Sequence, residues 1–351
     1  MRFEVIRTVA DLDRLAPAWN ALCDAGNAPM LTRPFWCRPW FAHGGRWRPE
    51  VTAVLDGDDL VALAPLQVRK LAGIEIVRFI GHGFGTVSSF VAVPGNARAV
   101  AFAWATVLRG GRRFAHLLEY SAPGFSATAV GGCALDVTAA DRCLVVDCSS
   151  SFDEYLGTRS KKLRENLRRA QRAVDSEGGY VIEVVSSSDR WQDVRREVLE
   201  IYNAAEVAQP RQHLFSGVIA GFAEELMTSS AEAGVLRLFV GRLSGRAASF
   251  GIAFQAGQAL DYWVTRFHPD YAAESVGVLL QRAVIAYGFD HGVRQVDLML
   301  GDGPHKRRWA TDHYDTLNVL AASSRPVLAL GRRALSGVAS LRHRRTALQA
   351  F

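Results

Sequence analysis

Long hydrophobic runs are missing from this sequence. No apolar stretch approaches the roughly 20 residues that a membrane-spanning helix needs. The amino terminus, Met1 to Val5, alternates like a β-strand and lacks the basic and then apolar pattern of a secretory signal. Together these two absences predict a soluble, cytoplasmic protein.

Paired cysteines are missing too. The five cysteines all lie in the first half of the chain, their number is odd, and none forms a C-x-x-C pair. No histidines stand at the spacing that a zinc site requires. The sequence therefore predicts free thiols in a reducing compartment and no metal cofactor.

Acidic residues are scarce in two stretches of the chain. The stretch from Arg159 to Arg172 contains seven basic residues and one acidic residue, Glu165. From Thr316 onward the chain contains six arginines and no acidic residue. Since the chain as a whole carries a net charge of +6, the remainder is net negative. The positive charge is therefore concentrated in two segments, which argues against a general nucleic-acid-binding surface.

The order of strands and helices is clearest in the second half of the chain. Residues 235–243 and 246–254 are rich in β-forming residues and flank the turn at Ser244-Gly245, which predicts a hairpin. Residues 260–267 predict a third strand, Ser275 predicts the cap of a helix reaching Asp290, and residues 293–300 predict a last strand. A crossover through that helix would set the last strand parallel to the third.

The first half repeats this order more faintly. A hairpin is predicted over residues 51–55 and 60–69, a third strand over 74–80, a helix over 97–109 and a strand over 114–119. Two α/β domains follow, with boundaries at 1–148 and 180–322. Between them, residues 149–179 predict one long amphipathic helix whose apolar stripe is Leu163, Leu167, Ala170 and Val174. Residues 323–351 form a basic tail.

Three segments carry a resemblance to a known family. They are SKKLRENLRRAQRAVDSEGG (160–179), the stretch from DYWVTRFHPDYAAESVG to LMLGDGPHKRRW (261–309), and FIGHGFGTVSSFVAVPG (79–95). Over roughly residues 1 to 320 the chain resembles the CelD/BioF2-like acetyltransferases of the GNAT superfamily, which are akin to the FemAB peptidyltransferases. The resemblance implies an α/β fold of two tandem GNAT-like domains, each with a mixed, mostly antiparallel sheet flanked by helices.

The resemblance also implies an activity, namely transfer of an acyl group, acetyl in this branch, from acyl-CoA to an amine. A helix amino terminus offers free N–H groups and partial positive charge to a phosphate, so the predicted donor site is the start of the helix after the third strand. Its residues are Ala273, Glu274, Ser275, Val276, Gly277 and Val278.

The predicted reaction centre follows the last strand. The resemblance places Lys306 there, and a lysine can polarise a carbonyl or bind an anion. Asp302 is predicted to orient that lysine, to accept a proton, or simply to make the turn. Asp297 and Tyr262 are further candidates for the base, although Asp297 in an apolar strand could equally pair with a neighbouring arginine. The predicted acceptor-binding residues are Lys161, Arg164, Arg168 and His305.

Alternatives remain open at this point. The basic helix could contact a sugar-linked acceptor, could contact tRNA as the aminoacyl donor of a FemAB-like enzyme, or could simply be solvated. The basic tail could lie on the anionic inner membrane. A non-catalytic accessory protein of polysaccharide biosynthesis is the remaining hypothesis.

Overall fold

The chain divides into two compact units. The computed structural model describes residues 1–71, 73–84, 87–209 and 214–335. One unit consists of Met1–Ala140 together with Asp315–Phe351, and the second consists of Asp141–Tyr314. This corrects the predicted boundaries in two places: residues 149–179 belong to the second unit, and residues 315–335 return to the first.

The first unit begins with a strand and two helices and continues mainly as strands. Its elements are β1 Arg2–Ile6, α1 Val9–Ala25, α2 Pro34–His43, β2 Arg48–Pro49, β3 Val51–Asp56, β4 Asp59–Ala64, β5 Leu66–Leu71, β6 Ile74–Phe79, β7 Val91–Ala92, α3 Ala97–Val107, β8 Arg113–Ser121 and β9 Ala134–Asp147, whose last residues lie in the second unit. Short 3-10 turns occupy Met30–Thr32, Ala122–Gly124 and Ala127–Val130.

The second unit contains most of the long helices. Its elements are α4 Phe152–Thr158, α5 Lys161–Ser176, β10 Tyr180–Val185, α6 Ser188–Ala208, α7 Ala220–Glu232, β11 Leu236–Leu243, β12 Arg246–Ala256, β13 Ala259–Phe267, α8 Val276–Asp290, β14 Gln295–Leu300 and α9 Pro304–Arg307, followed by β15 Asp312–Ala322, which continues into the first unit. Gly217–Ile219 and Pro269–Tyr271 form 3-10 turns.

In the first unit the predicted hairpin is split between two sheets. The predicted strand over 60–69 is two strands, because Pro65 has no N–H to donate to a ladder. β4 lies in a small sheet of order β1-β3-β4-β7, whereas β5 lies in a second sheet that runs β15-β8-β6-β5-β2 within this unit. The predicted crossover is confirmed, since β6 and β8 are parallel and α3 connects them.

The second unit matches its predicted order closely. Its strands run β10-β11-β12-β13-β14-β9, with antiparallel pairing throughout except between β13 and β14. α8 is the crossover between those two parallel strands. The sequence did not predict β10, β9 or β15; much of β9 is exposed and polar, so its hydrophobic alternation is weak.

The predicted linker helix is two helices, α4 and α5. The chain breaks at Arg159, and the Ser160 side chain caps the second helix by accepting from the Leu163 N–H at 3.2 Å. The predicted apolar stripe of α5 is fully buried, in one cluster with Leu279 and Leu280 of α8. This helix is therefore part of the core of the second unit.

The described part of the tail packs on the first unit. Residues 325–335 are helical, and Val327, Leu328 and Leu335 contact a cluster around Ile76 and Phe114. Of the arginines in the predicted basic tail helix, Arg332 pairs with Asp136 and Arg333 is exposed. Arg342, Arg344 and Arg345 lie outside the described residues. Within the described ranges, no helix has the length and apolar character to cross a membrane.

Candidate donor site in the second unit

The parallel strands β13 and β14 separate near their carboxyl ends. Their pairing runs from Ala259↔Gln295 to Asp261↔Asp297 and then stops, although β13 continues to Phe267. A bulge on β13 adds local twist, because Ile252 pairs with Val264 and Ala253 pairs with Tyr262. An opening therefore forms between two strands that are joined deeper in the sheet.

α8 begins beside this opening without a side-chain cap. Ser275 is the N-cap residue, but its side chain makes no capping bond and its backbone is left-handed, with φ +57°. The predicted capping role of the Ser275 side chain is therefore wrong. Uncapped N–H groups at the start of a 15-residue helix favour an anion.

A cavity of about 540 Å³ lies against this helix start. The first turn of α8 (Ser275–Val278) and the end of β13 (Thr265–Phe267) form one side of it. The rest is formed by Asn166 and Arg169 of α5, His305 and Arg308 at α9, the end of α6, the turn residues Pro269, Tyr271 and Ala272, and Gln281 of α8. Gly277 lets the first turn of α8 approach β13 closely, since a Cβ there would lie 3.1 Å from the Phe267 ring and would force that ring to shift.

Two of the three arginines in the cavity wall make it electropositive, since the third, Arg266, is paired with Glu206 at 2.9 Å. Arg308 donates to the Gln281 side chain at 3.3 Å and to the His305 carbonyl at 3.1 Å, and partial burial lowers its pKa. Arg169 donates to Asn166 at 2.7 Å. Neither guanidinium forms an ion pair with a carboxylate among the residues that the structure describes. Both positive charges therefore remain available to an anionic ligand.

The predicted ligand-binding residues fall partly on this cavity. Ser275, Val276, Gly277, Val278 and His305 line it. Ala273 is exposed and Glu274 half-buried, and neither of them contributes to the wall.

The three predicted basic residues of α5 lie elsewhere. Lys161 faces Glu165 at 3.8 Å on the surface, and Arg164 donates to the Gly157 and Arg159 carbonyls at the end of α4. Arg168 is exposed and stands outside the lining. On this helix the cavity contacts Asn166 and Arg169 instead. Their i,i+3 spacing places them on one face, so a helical-wheel comparison with the buried stripe could have found them.

Asp297 is buried, with both carboxylate oxygens bonded. One oxygen accepts from the Tyr314 hydroxyl at 2.6 Å and the second from the Met299 N–H at 2.7 Å. Burial raises the pKa of Asp297, while those two bonds and the charge of Lys306 oppose the rise. The alternative of an arginine pair is wrong, because a hydroxyl and an amide hold this carboxylate. The sequence did not predict that the Tyr314 hydroxyl would donate a hydrogen bond to Asp297.

Lys306 and Asp302 do not act on each other as predicted. The Lys306 ammonium donates to the main-chain carbonyls of Met299 and Leu300, and burial lowers its pKa. Asp302 lies at the surface and accepts from Arg307 at 2.6 Å, which lowers the pKa of its carboxyl. The prediction that Asp302 orients Lys306 is therefore wrong.

Tyr262 lies in the core, away from the cavity wall. Its ring packs so closely on Gly251 that a Cβ there would lie 2.8 Å from a ring carbon. Burial raises the pKa of its hydroxyl well above the usual range. The ring fills the space under α8, in one cluster with Val276 and Leu280.

Comparison with known protein families gives a match over part of the chain. The acetyltransferase (GNAT) domain family matches residues 161–307. This segment contains the whole described wall of the cavity except Arg308, and the match is the one that the resemblance to the GNAT superfamily predicts for the second unit. The predicted α/β class, with mixed, mostly antiparallel sheets flanked by helices, is confirmed. A search of curated protein sequences finds no match.

Solved structures extend the likeness of the fold beyond the GNAT domain. FemX is 12% identical with a TM-score of 0.65, over 92% of this chain and 97% of FemX. A C-terminal domain assigned to a lysylphosphatidylglycerol synthetase of Agrobacterium fabrum is 13% identical with a TM-score of 0.62, over 94% and 97%. L-PGS from Bacillus licheniformis is 11% identical with a TM-score of 0.57, over 93% and 97%. At these identities the likeness concerns the fold.

Proposed function

We propose that the chain is an N-acyltransferase that moves an acyl group, acetyl in the first instance, from acyl-CoA to an amine. The observation that carries this proposal is the cavity at the uncapped start of α8, with two arginines that no described carboxylate neutralises. A CoA ester presents phosphates, which need such charges, and a thioester arm, which fits a slot between separated strands.

The chemistry is a direct displacement. The neutral amine attacks the thioester carbonyl, a tetrahedral intermediate forms, and the C–S bond breaks to leave an amide and CoA thiol. The opening between β13 and β14 would hold the thioester, because both strands continue there beyond their last described pair and the end of β13 borders the cavity. N–H groups there can stabilise the oxyanion.

The acceptor that we propose is an amine on a sugar or cell-envelope precursor, as in exopolysaccharide synthesis. This choice rests on the sequence resemblance alone. It is compatible with a cytoplasmic protein whose basic tail contacts the inner membrane, and it requires no metal.

One observation favours a second candidate, a FemAB-like transferase that uses aminoacyl-tRNA. The exposed side of α5 carries Lys161, Lys162, Arg168, Arg169 and Arg172 with Glu165 as the one acid between them. Arg169 belongs both to this surface and to the cavity wall. A phosphate backbone lying along α5 could therefore reach the cavity.

Thermal stability with each donor separates the candidates. Acetyl-CoA and free CoA should raise the melting temperature of the protein with a saturable dose dependence. Stabilisation by aminoacyl-tRNA with none by any CoA ester would favour the second candidate. Stabilisation by neither class would contradict both, and would favour a non-catalytic role.

The contribution of Arg308 gives a direct test of the cavity. Arg308→Met should weaken CoA binding about tenfold, as expected for loss of one charge-assisted hydrogen bond. Arg307→Met is the matched control, since Arg307 bonds Asp302 on the surface and is not part of the cavity wall. Equal CoA affinities for the two variants, measured by isothermal titration calorimetry, would show that Arg308 does not contribute to CoA binding.

A further inference from the structure

The carboxyl end of β14 has an unusual backbone. Met299 has φ +59°, a left-handed conformation that a residue with a Cβ rarely adopts, and Gly301 has φ +94°. The register with β9 shifts at the same place, between the pairs Asp297↔Val145 and Leu300↔Cys143. Such a turn persists only where surrounding groups hold it.

Two side chains hold this turn from opposite sides. Asp297 accepts from the Met299 N–H at 2.7 Å, while the Lys306 ammonium donates to the Met299 carbonyl at 3.2 Å and to the Leu300 carbonyl. Tyr314 fixes Asp297 through its second oxygen. Both polar groups of the Met299 backbone are therefore bonded to side chains.

Lys306 joins this turn to α9, which forms part of the cavity wall. α9 has only four residues, so it cannot maintain its own orientation. His305 and Arg308 of this segment line the cavity, whereas Lys306 is absent from the wall and reaches back to β14.

We propose that Lys306 is a positioning residue that ties α9 to the left-handed turn of β14 and thereby places His305 and Arg308 in the donor cavity. This assignment differs from the reaction-centre role that the family resemblance implies. Its part concerning the donor rests on the proposed function. A buried ammonium bonded to two carbonyls is committed to those groups, and action on a substrate carbonyl would require it to leave them.

The groups around this ammonium explain why a cation is kept there. Burial lowers the pKa of Lys306, and the nearby carboxyl groups of Asp297 and Asp141 oppose that shift by favouring its charged form. An apolar side chain of similar length would leave both carbonyls without a donor. Lys306→Met should therefore loosen the turn and α9 together.

The test measures exchange and affinity on Lys306→Met, with Lys70→Met, an exposed lysine of the first unit, as the matched control. Amide hydrogen exchange in peptides covering 299–309 should rise at least about tenfold, and CoA affinity should fall about tenfold. Lys306→Gln keeps an N–H donor and should recover part of both losses, which separates positioning from charge. If the Lys306→Met variant fails to fold, the Lys306→Gln variant provides the same two measurements.

Unchanged exchange and unchanged CoA affinity in Lys306→Met would overturn the proposal. So would a glutamine variant no better than the methionine variant in both measurements. Failure of the wild-type protein to bind CoA would count against the donor assignment instead. In that case the exchange measurement alone decides whether Lys306 holds the turn.

Discussion

The two units share a parallel strand pair joined by a crossover helix, but the helices start differently. In the first unit Asn96 caps α3, with its side chain accepting from the Ala99 N–H at 3.0 Å. In the second unit the Ser275 side chain leaves the start of α8 uncapped. The same topology therefore satisfies its helix terminus internally in one unit and leaves it available to a ligand in the other.

The space beside α3 is filled by side chains, whereas the space beside the start of α8 is open. In the first unit five rings, those of Phe79, Phe90, Trp104, Tyr120 and Phe125, pack among β6, β8 and α3, with Phe90 stacked on Trp104 at 4.5 Å. The Tyr120 hydroxyl also accepts from the Phe90 N–H. In the second unit the corresponding helix start borders the 540 Å³ cavity. We infer that the packed rings beside α3 stabilise the first unit, whereas the cavity beside α8 binds the donor in the second.

The largest effect is expected from opening the aromatic cluster. Trp104→Ala should destabilise the first unit by about 3–5 kcal/mol, because Trp104 is fully buried and its removal leaves a cavity. Chemical denaturation would measure the loss. CoA affinity should stay unchanged at temperatures where the variant is folded. A weaker affinity would mean that the first unit contributes to donor binding after all.

A smaller effect is expected from closing the cavity of the second unit. Gly277→Val should lower CoA affinity about 100-fold, since the new side chain meets the Phe267 ring and crowds the first turn of α8. Ala97→Val, at the exposed first turn of α3, is the matched change in the first unit and should leave affinity unaltered. Titration calorimetry on both variants makes the comparison, and similar losses in the two would abolish the distinction between the units.

The smallest effect is expected at the two helix caps. Asn96→Ala should cost about 1 kcal/mol of stability, the usual value of an N-cap bond. Ser275→Ala should cost much less, because its side chain makes no such bond. Equal losses in urea denaturation would show that Ser275 caps α8 in solution.

The sequence predicted the frame of the second unit well, and for identifiable reasons. β11 to β14 and α8 have strong periodicity and tight turns at Ser244-Gly245 and Gly257, so local chemistry specifies them. The break at Pro65 was also readable in principle. In contrast, the sequence predicts one helix where the structure has two, α4 and α5. The apolar stripe of α5 does not show where the preceding helix ends.

The site was harder to predict, because its geometry depends on distant contacts. Arg308 faces the cavity since Gln281, on a different helix, holds it. Lys306 points away from the cavity because its ammonium donates hydrogen bonds to carbonyls six and seven residues earlier. No local pattern separates these two neighbouring cations. The pairing of Tyr314 with Asp297 likewise forms only in the folded chain.

A crystal structure of the protein with bound CoA tests the central claim most directly. The phosphates should lie against the N–H groups of Val276 and Gly277 and near Arg308, with the pantetheine arm between β13 and β14. CoA bound elsewhere, or a crystal grown in excess CoA whose cavity stays free of it, would contradict the assignment of α8 as the donor site.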